Sequence, residues 1–301
     1  MILLIPRYLR IWILSLCLTP LLGPSTIHQA RAGEAPNGAH SILSERIVFS
    51  VKWSLIPLIK THMETYRLGN GKDPILYRLT HQAASNAFWN DRIVSVIDSK
   101  TLLPFRAQTT IKEGRKTSVE KIVFQREIGK ALLSYQEPGT CRDVVDHLDI
   151  TETSMDPLSG FYYLRRRLSP SSPFLELNGI TASRRFILRG RLVAEEKIRV
   201  PGGSFNTYRL ECSFKYRLNN AEATANQIKA DETQDNPFTL WISKDDQRFP
   251  VQIHYPLSVG SLWVRAISLE YHEPAWSPAH TKMATSRQPT AENRENRFWF
   301  E

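Results

Sequence analysis

The residues best suited to chemistry lie together in Asp143-Val144-Val145-Asp146-His147-Leu148-Asp149-Ile150-Thr151-Glu152. Asp143, Asp146 and Asp149 recur at every third position with His147 among them, a set that could bind calcium or supply a general base. The stretch lacks the glycine of an EF-hand loop and has no fixed ligand register, so it reads first as a solvated acidic loop. A hydrolase using Asp146 and His147 is the enzymatic reading and ranks last. His62, His81 and His254 show no metal-pair spacing, and no GxSxG elbow, HExxH, P-loop or GxGxxG occurs. The sequence thus predicts no catalytic residue, no metal and no cofactor.

Two further sets of residues could recognise a partner. Arg165, Arg166 and Arg167, followed by Arg184, Arg185, Arg189 and Arg191, could hold anions or lipid headgroups, because guanidinium forks match phosphate and carboxylate. The bland alternative is a solvated helix face. Cys141 and Cys212, the two cysteines left after the N-terminal segment, could close one disulfide in an oxidising compartment.

Compartment is indicated by the N-terminus. Arg7 and Arg10 precede the apolar run 11–22, and Gln29-Ala30-Arg31-Ala32 supplies a small-residue cleavage site, the three parts of a secretory signal peptide. The expectation is export to the periplasm after cleavage near Ala32, with an uncleaved anchor as the alternative. Loss of Arg7, Arg10 and Arg31 leaves 39 − 3 = 36 basic against 30 acidic residues, a net charge of +6. That mild excess suits weak, peripheral contact with anionic lipid or polysaccharide and does not indicate nucleic acid.

The elements that must position these residues are mostly strands. Period-two alternation begins with Ile47, Phe49, Val51 and Trp53 and recurs at 61–68, 75–81, 91–98, 104–113, 117–126 and 130–135. Short turns between the runs imply antiparallel neighbours. Further strands are expected at 183–189, 191–200, 205–217, 237–243, 249–255 and 260–271, with a long polar loop at 219–236. One amphipathic helix is expected over 157–168, with Asp156 as N-cap, Pro157 at the first helical position and the three arginines in the last turn. Residues 33–44 read as a linker, 45–271 as one antiparallel β domain, and 272–301 as a disordered tail whose Phe298-Trp299-Phe300 could dock a partner. The fold class is therefore mainly β: a single curved antiparallel sheet or open β-barrel with one short helix packed on it. Such a sheet leaves an apolar concavity that a helix can lid, and Trp53, Phe161, Tyr162, Trp241 and Trp263 are the candidate ligand-binding residues.

Several short motifs, in this order, resemble domain of unknown function 3108. They are Val96-Ile97-Asp98-Ser99-Lys100-Thr101-Leu102-Leu103-Pro104, Asp156-Pro157-Leu158-Ser159 through Tyr163-Leu164-Arg165, the hairpin 196–203, and Trp241-Ile242-Ser243-Lys244-Asp245-Asp246-Gln247-Arg248-Phe249-Pro250-Val251. The resemblance implies an exported, β-rich protein without an established activity. At the level of fold it is similar to periplasmic lipoprotein carriers of the LolA/LolB type, whose half-barrels hold acyl chains. The expected function is a non-enzymatic envelope protein that binds a lipid-like ligand or lipoprotein acyl chain in its concavity. The alternative is a structural or assembly factor for a surface polysaccharide or another envelope component, working by contact with an envelope protein.

Overall fold

The computed structural model describes residues 41–68, 76–86, 89–113, 116–136, 143–181, 184–218 and 235–272. The segment read as a signal peptide, most of that read as linker, the loop 219–234 and residues 273–301 lie outside them. In chain order the elements are β1 (Ser41–Trp53), β2 (Ile56–Leu68), β3 (Leu76–Asn86), β4 (Trp89–Asp98), β5 (Pro104–Glu113), β6 (Lys116–Gln125), β7 (Lys130–Gln136) and β8 (Asp143–Asp149). Then come α1 (Pro157–Arg167), β9 (Phe174–Ile180), β10 (Arg184–Val200), β11 (Gly203–Leu218), β12 (Asp235–Ser243), β13 (Pro250–Pro256) and β14 (Ser261–Tyr271).

All fourteen strands form one antiparallel sheet in the order β8 to β1, then β14 back to β9. Two meanders are thus joined where the first strand meets the last, with Ile47 opposite Leu269 and Val51 opposite Val264. The expected open barrel is what forms. The sheet curls far enough for Ile180, on the last strand in the order, to pack in one cluster with Ala107, Ile122, Phe124, Ala131 and Leu133 of β5, β6 and β7. β8 and β9 do not pair across the remaining gap. Chain between β8 and α1 fills it instead: Met155 N–H donates to Asn178 O at 3.0 Å, and Ile180 N–H donates to Met155 O at 2.8 Å. Arg126, from the turn between β6 and β7, pins the same segment by donating to Ser154 O at 2.8 Å and Pro104 O at 3.1 Å.

β2 begins earlier than expected, at Ile56, β3 runs on to Asn86, and four further differences bear on the architecture. Residues 143–149 are not a loop but the edge strand β8; its exposed Asp146, His147 and Asp149 fit an edge, where charge discourages further pairing. Residues 174–180, for which no element was expected, form the other edge, β9, tolerating Gly179 because the Phe186 ring occupies the space a Cβ would need. The runs 183–189 and 191–200 are one strand, β10, which continues through Gly190 where Leu164 and Leu168 of the helix press close. β1 starts at Ser41, inside the stretch read as linker, and Ser44 is buried with its hydroxyl donating to Thr65 O at 3.0 Å.

Candidate functional site

The helix forms as its sequence dictates. Asp156 Oδ1 accepts from Leu158 N at 3.0 Å and Ser159 N at 3.1 Å, satisfying two of the free N–H groups at the start of α1. Its second oxygen accepts from Ser95 Oγ on β4 at 2.7 Å, which ties the cap to the wall of the barrel. Burial pushes the Asp156 carboxyl above its usual range, and these hydrogen bonds pull the other way. From that anchor the helix enters the concavity. Phe161, Leu164 and Leu168 join the large core with Ile47, Phe49, Leu188, Leu240 and Val264, while Leu158 and Tyr162 join Leu79, Ile93, Ile97 and Leu102.

The three arginines of the last turn separate. Arg165 points into the barrel and is fully buried, where Nη1 and Nη2 donate to Glu45 Oε1 and Oε2 of β1 at 2.9 and 2.7 Å. Its guanidinium lies 4.4 Å from the centre of the Tyr162 ring. Burial alone would lower the Arg165 pKa, but Glu45 and Tyr162 more than offset it, so the pKa is raised and the guanidinium stays charged. Arg166 donates to the carbonyls of Asp246 and Gln247 at 2.8 and 3.0 Å. Only Arg167 is exposed, over the Tyr163 ring. The cluster therefore fastens the helix, and one member remains open to an anion.

The five aromatic candidates are not brought together. Phe161 and Tyr162 are inside. Trp53 sits at the rim, packed against the core, with its Nε1 donating to Val259 O at 3.1 Å. Trp241 and Trp263 occupy the opposite face, because Phe238, Leu240 and Ile242 beside the first, and Leu262 and Val264 beside the second, point inward. Trp241 stacks on Trp263 at 6.4 Å and donates to Glu196 Oε1 at 2.6 Å; Trp263 is also stacked by His254 at 4.1 Å and capped by Arg265 at 4.6 Å. Cys212 is buried and burial raises its thiol pKa; Cys141 lies outside the described residues.

The family described as Protein of unknown function (DUF3108) matches residues 48–266, from β1 to β14. The chain belongs to this family. No curated protein matches it. Among solved structures it is similar to the crystal structure of a β-barrel-like protein of domain of unknown function DUF1849 from Brucella abortus. That match has 7% identity and a TM-score of 0.47, over 77% of this chain and 99% of the other.

Three DUF3108 motifs quoted above meet at the helix end of the barrel. Asp98 Oδ1 accepts from Lys100 N and Thr101 N, shaping a turn that puts Leu102 at φ 65° and buries it in the cluster of Leu158 and Tyr162. Asp156 caps the helix. Asp245 Oδ1 accepts from Gln247 N at 3.0 Å and Arg248 N at 3.1 Å, presenting the carbonyls that Arg166 grips. Together these motifs build the plug of the barrel.

The buried partners of the plug, Glu45 and Ser95, were not singled out from sequence. Glu45 had a signal: it precedes the inward run Ile47, Phe49, Val51 at the same parity, a charge on an apolar face. A second polar pair, also missed, lies on the inner face. Thr61 Oγ1 donates to Gln82 O at 2.7 Å and is 2.8 Å from His81 Nε2. Its one proton is used on the carbonyl, so His81 must donate from Nε2, which assigns the neutral tautomer. Burial, with a smaller push from His62, lowers the His81 pKa to about 4. Asp146 and His147 are exposed neighbours on β8 and, as successive strand residues, point to opposite faces. Among the described residues no group of three or more His, Cys, Asp or Glu is placed to hold a metal ion.

Proposed function

We propose that this DUF3108 protein is a non-enzymatic component of the cell envelope, exported after cleavage near Ala32, that works by surface contact with another envelope component. The observation that carries this is the plug: α1 fills the concavity and is fastened there by the buried Arg165–Glu45 pair, the Asp156–Ser95 bond and the Arg166 grip. Opening that space to a ligand would lift Phe161, Leu164 and Leu168 out of the core, at about 1.5–3 kcal/mol for each side chain exposed to water. The opposite pointing of Asp146 and His147 supports the non-enzymatic part. Native mass spectrometry of detergent-free protein tests the reading. The mature chain alone is expected, and an acyl ligand at one per chain would overturn it.

Such a result would favour the second reading, a lipid-like ligand or lipoprotein acyl chain inside the barrel. One observation supports it: α1 packs chiefly on β3, β4 and β9, while inner-face positions Thr109 and Ile111 of β5 and Tyr135 of β7 are only partly buried.

A further inference from the structure

The end of the barrel away from the plug carries an apex that breaks the usual rules of turn chemistry. Tight turns favour Gly, Asn, Asp or Ser, but in the β1–β2 turn, Trp53-Ser54-Leu55-Ile56-Pro57, Ser54 is followed by two aliphatic residues. Leu55 is 91% exposed and Ile56 55%. The neighbouring β13–β14 turn adds Val259, 66% exposed. These two turns are joined to each other. Ser54 N–H donates to Ser261 O at 2.7 Å and Trp53 Nε1 to Val259 O at 3.1 Å, and Gly260, at φ 75°, comes so near that a Cβ would sit 2.6 Å from Ser54 Oγ. Ser54 itself is held at φ 53°, an uncommon conformation for a residue with a side chain. Backbone strain and two docked turns thus serve to hold three aliphatic side chains in solvent.

Just behind the apex the outward face changes character. Lys52 pairs with Trp263 across β1–β14 and Trp263 with His254 across β13–β14, while Lys60 stands opposite Ser50 and Arg265 caps Trp263. Trp263 lies two residues into β14 from its start, about 7 Å along the strand. That depth matches the ~5–10 Å to which interfacial apolar groups enter a bilayer, with aromatic and cationic side chains at headgroup level. The basic excess of the chain fits an anionic surface.

We propose that the paired β1–β2 and β13–β14 turns are a docking tip that inserts Leu55, Ile56 and Val259 into an anionic lipid surface, with Lys52, Lys60, Trp263 and Arg265 at its headgroups. The proposal rests on the surface-contact function and names the partner. The test is flotation of the purified mature protein with phosphatidylethanolamine–phosphatidylglycerol vesicles and with phosphatidylcholine vesicles. The wild type floats with the anionic vesicles. Leu55→Asp/Ile56→Asp, whose thermal unfolding is unchanged because both side chains are exposed, loses roughly tenfold or more in partitioning. Lys52→Glu/Lys60→Glu removes the preference for anionic over phosphatidylcholine vesicles. Equal flotation of the folded Leu55→Asp/Ile56→Asp variant and wild type overturns the tip. So does a wild type that ignores vesicles, or one that dimerises through Leu55 and Ile56 by light scattering. A vesicle-indifferent protein with an empty barrel by native mass spectrometry removes the tip and leaves the surface-contact function standing; a stoichiometric acyl ligand removes that function whatever the vesicles do.

Discussion

Arg165 and Glu45 offer the sharpest test of how the plug is held. The pair is bidentate, at 2.9 and 2.7 Å, with side-chain exposures of 1% and 2%. Arg191 and Glu211 approach equally closely, 2.7 Å, but with exposures of 65% and 53%. The closest approach is the same, while the buried pair makes two hydrogen bonds and the exposed pair one, so the comparison weighs burial and bidentate geometry together. An exposed pair contributes about 0–1 kcal/mol, because water competes for both charges. Removing one partner of a buried pair strands the other charge in the core and costs about 3–5 kcal/mol. Arg165→Met should therefore lower the unfolding midpoint by roughly 6–20 °C for a domain of this size, against a few degrees or less for Arg191→Met. The double variant Glu45→Leu/Arg165→Met removes both charges, and it should recover most of the loss or exceed the wild type. Far-ultraviolet circular dichroism during thermal unfolding and urea midpoints on all four variants measure this. If Arg165→Met costs no more than Arg191→Met, or the losses from Glu45→Leu and Arg165→Met simply add, the two charges do not act as a buried unit and the reasoning fails.

Two other expectations come from the same interior. The His81 pKa falls from 6.5 to about 4 in the folded state, so the unfolded chain binds more protons between those values. Stability from this group is present above pH 6.5 and lost as pH falls towards 4, by at most about 3 kcal/mol; in urea titrations His81→Gln should flatten the wild-type slope in that window, and identical slopes would contradict the neutral buried imidazole. Gly179→Ala would bring a Cβ within 1.9 Å of Phe186 Cζ, whereas Gly190→Ala meets movable Leu164 and Leu168 methyls at 2.7 and 3.0 Å. The first should destabilise by about 1–3 kcal/mol and clearly more than the second, and equal midpoints for the two would show that the Phe186 ring can move aside.

Local chemistry made much of this fold legible before any coordinates. Alternation fixed that Ile47, Phe49, Val51 and Trp53 of β1 share one face, because side chains on a strand must alternate whatever they pack against. Asp156, Pro157 and the terminal arginines specified the helix, since a cap acts over three residues. Asp98 and Asp245 marked their turns for the same reason. What escaped were features created by distant residues. β9 and the unbroken course of β10 depend on glycines filled by Phe186, Leu164 and Leu168, and the acidic run 143–149 becomes a strand because β7 offers it an edge. The fate of the arginines was likewise a tertiary decision: Arg165 meets Glu45 from 120 residues away, and only the curl of the sheet brings that carboxylate beneath the helix. The placement of Trp241 combines both levels. Sequence parity put it on the face opposite Leu240, but only the curl of the sheet made that face the outside of the barrel.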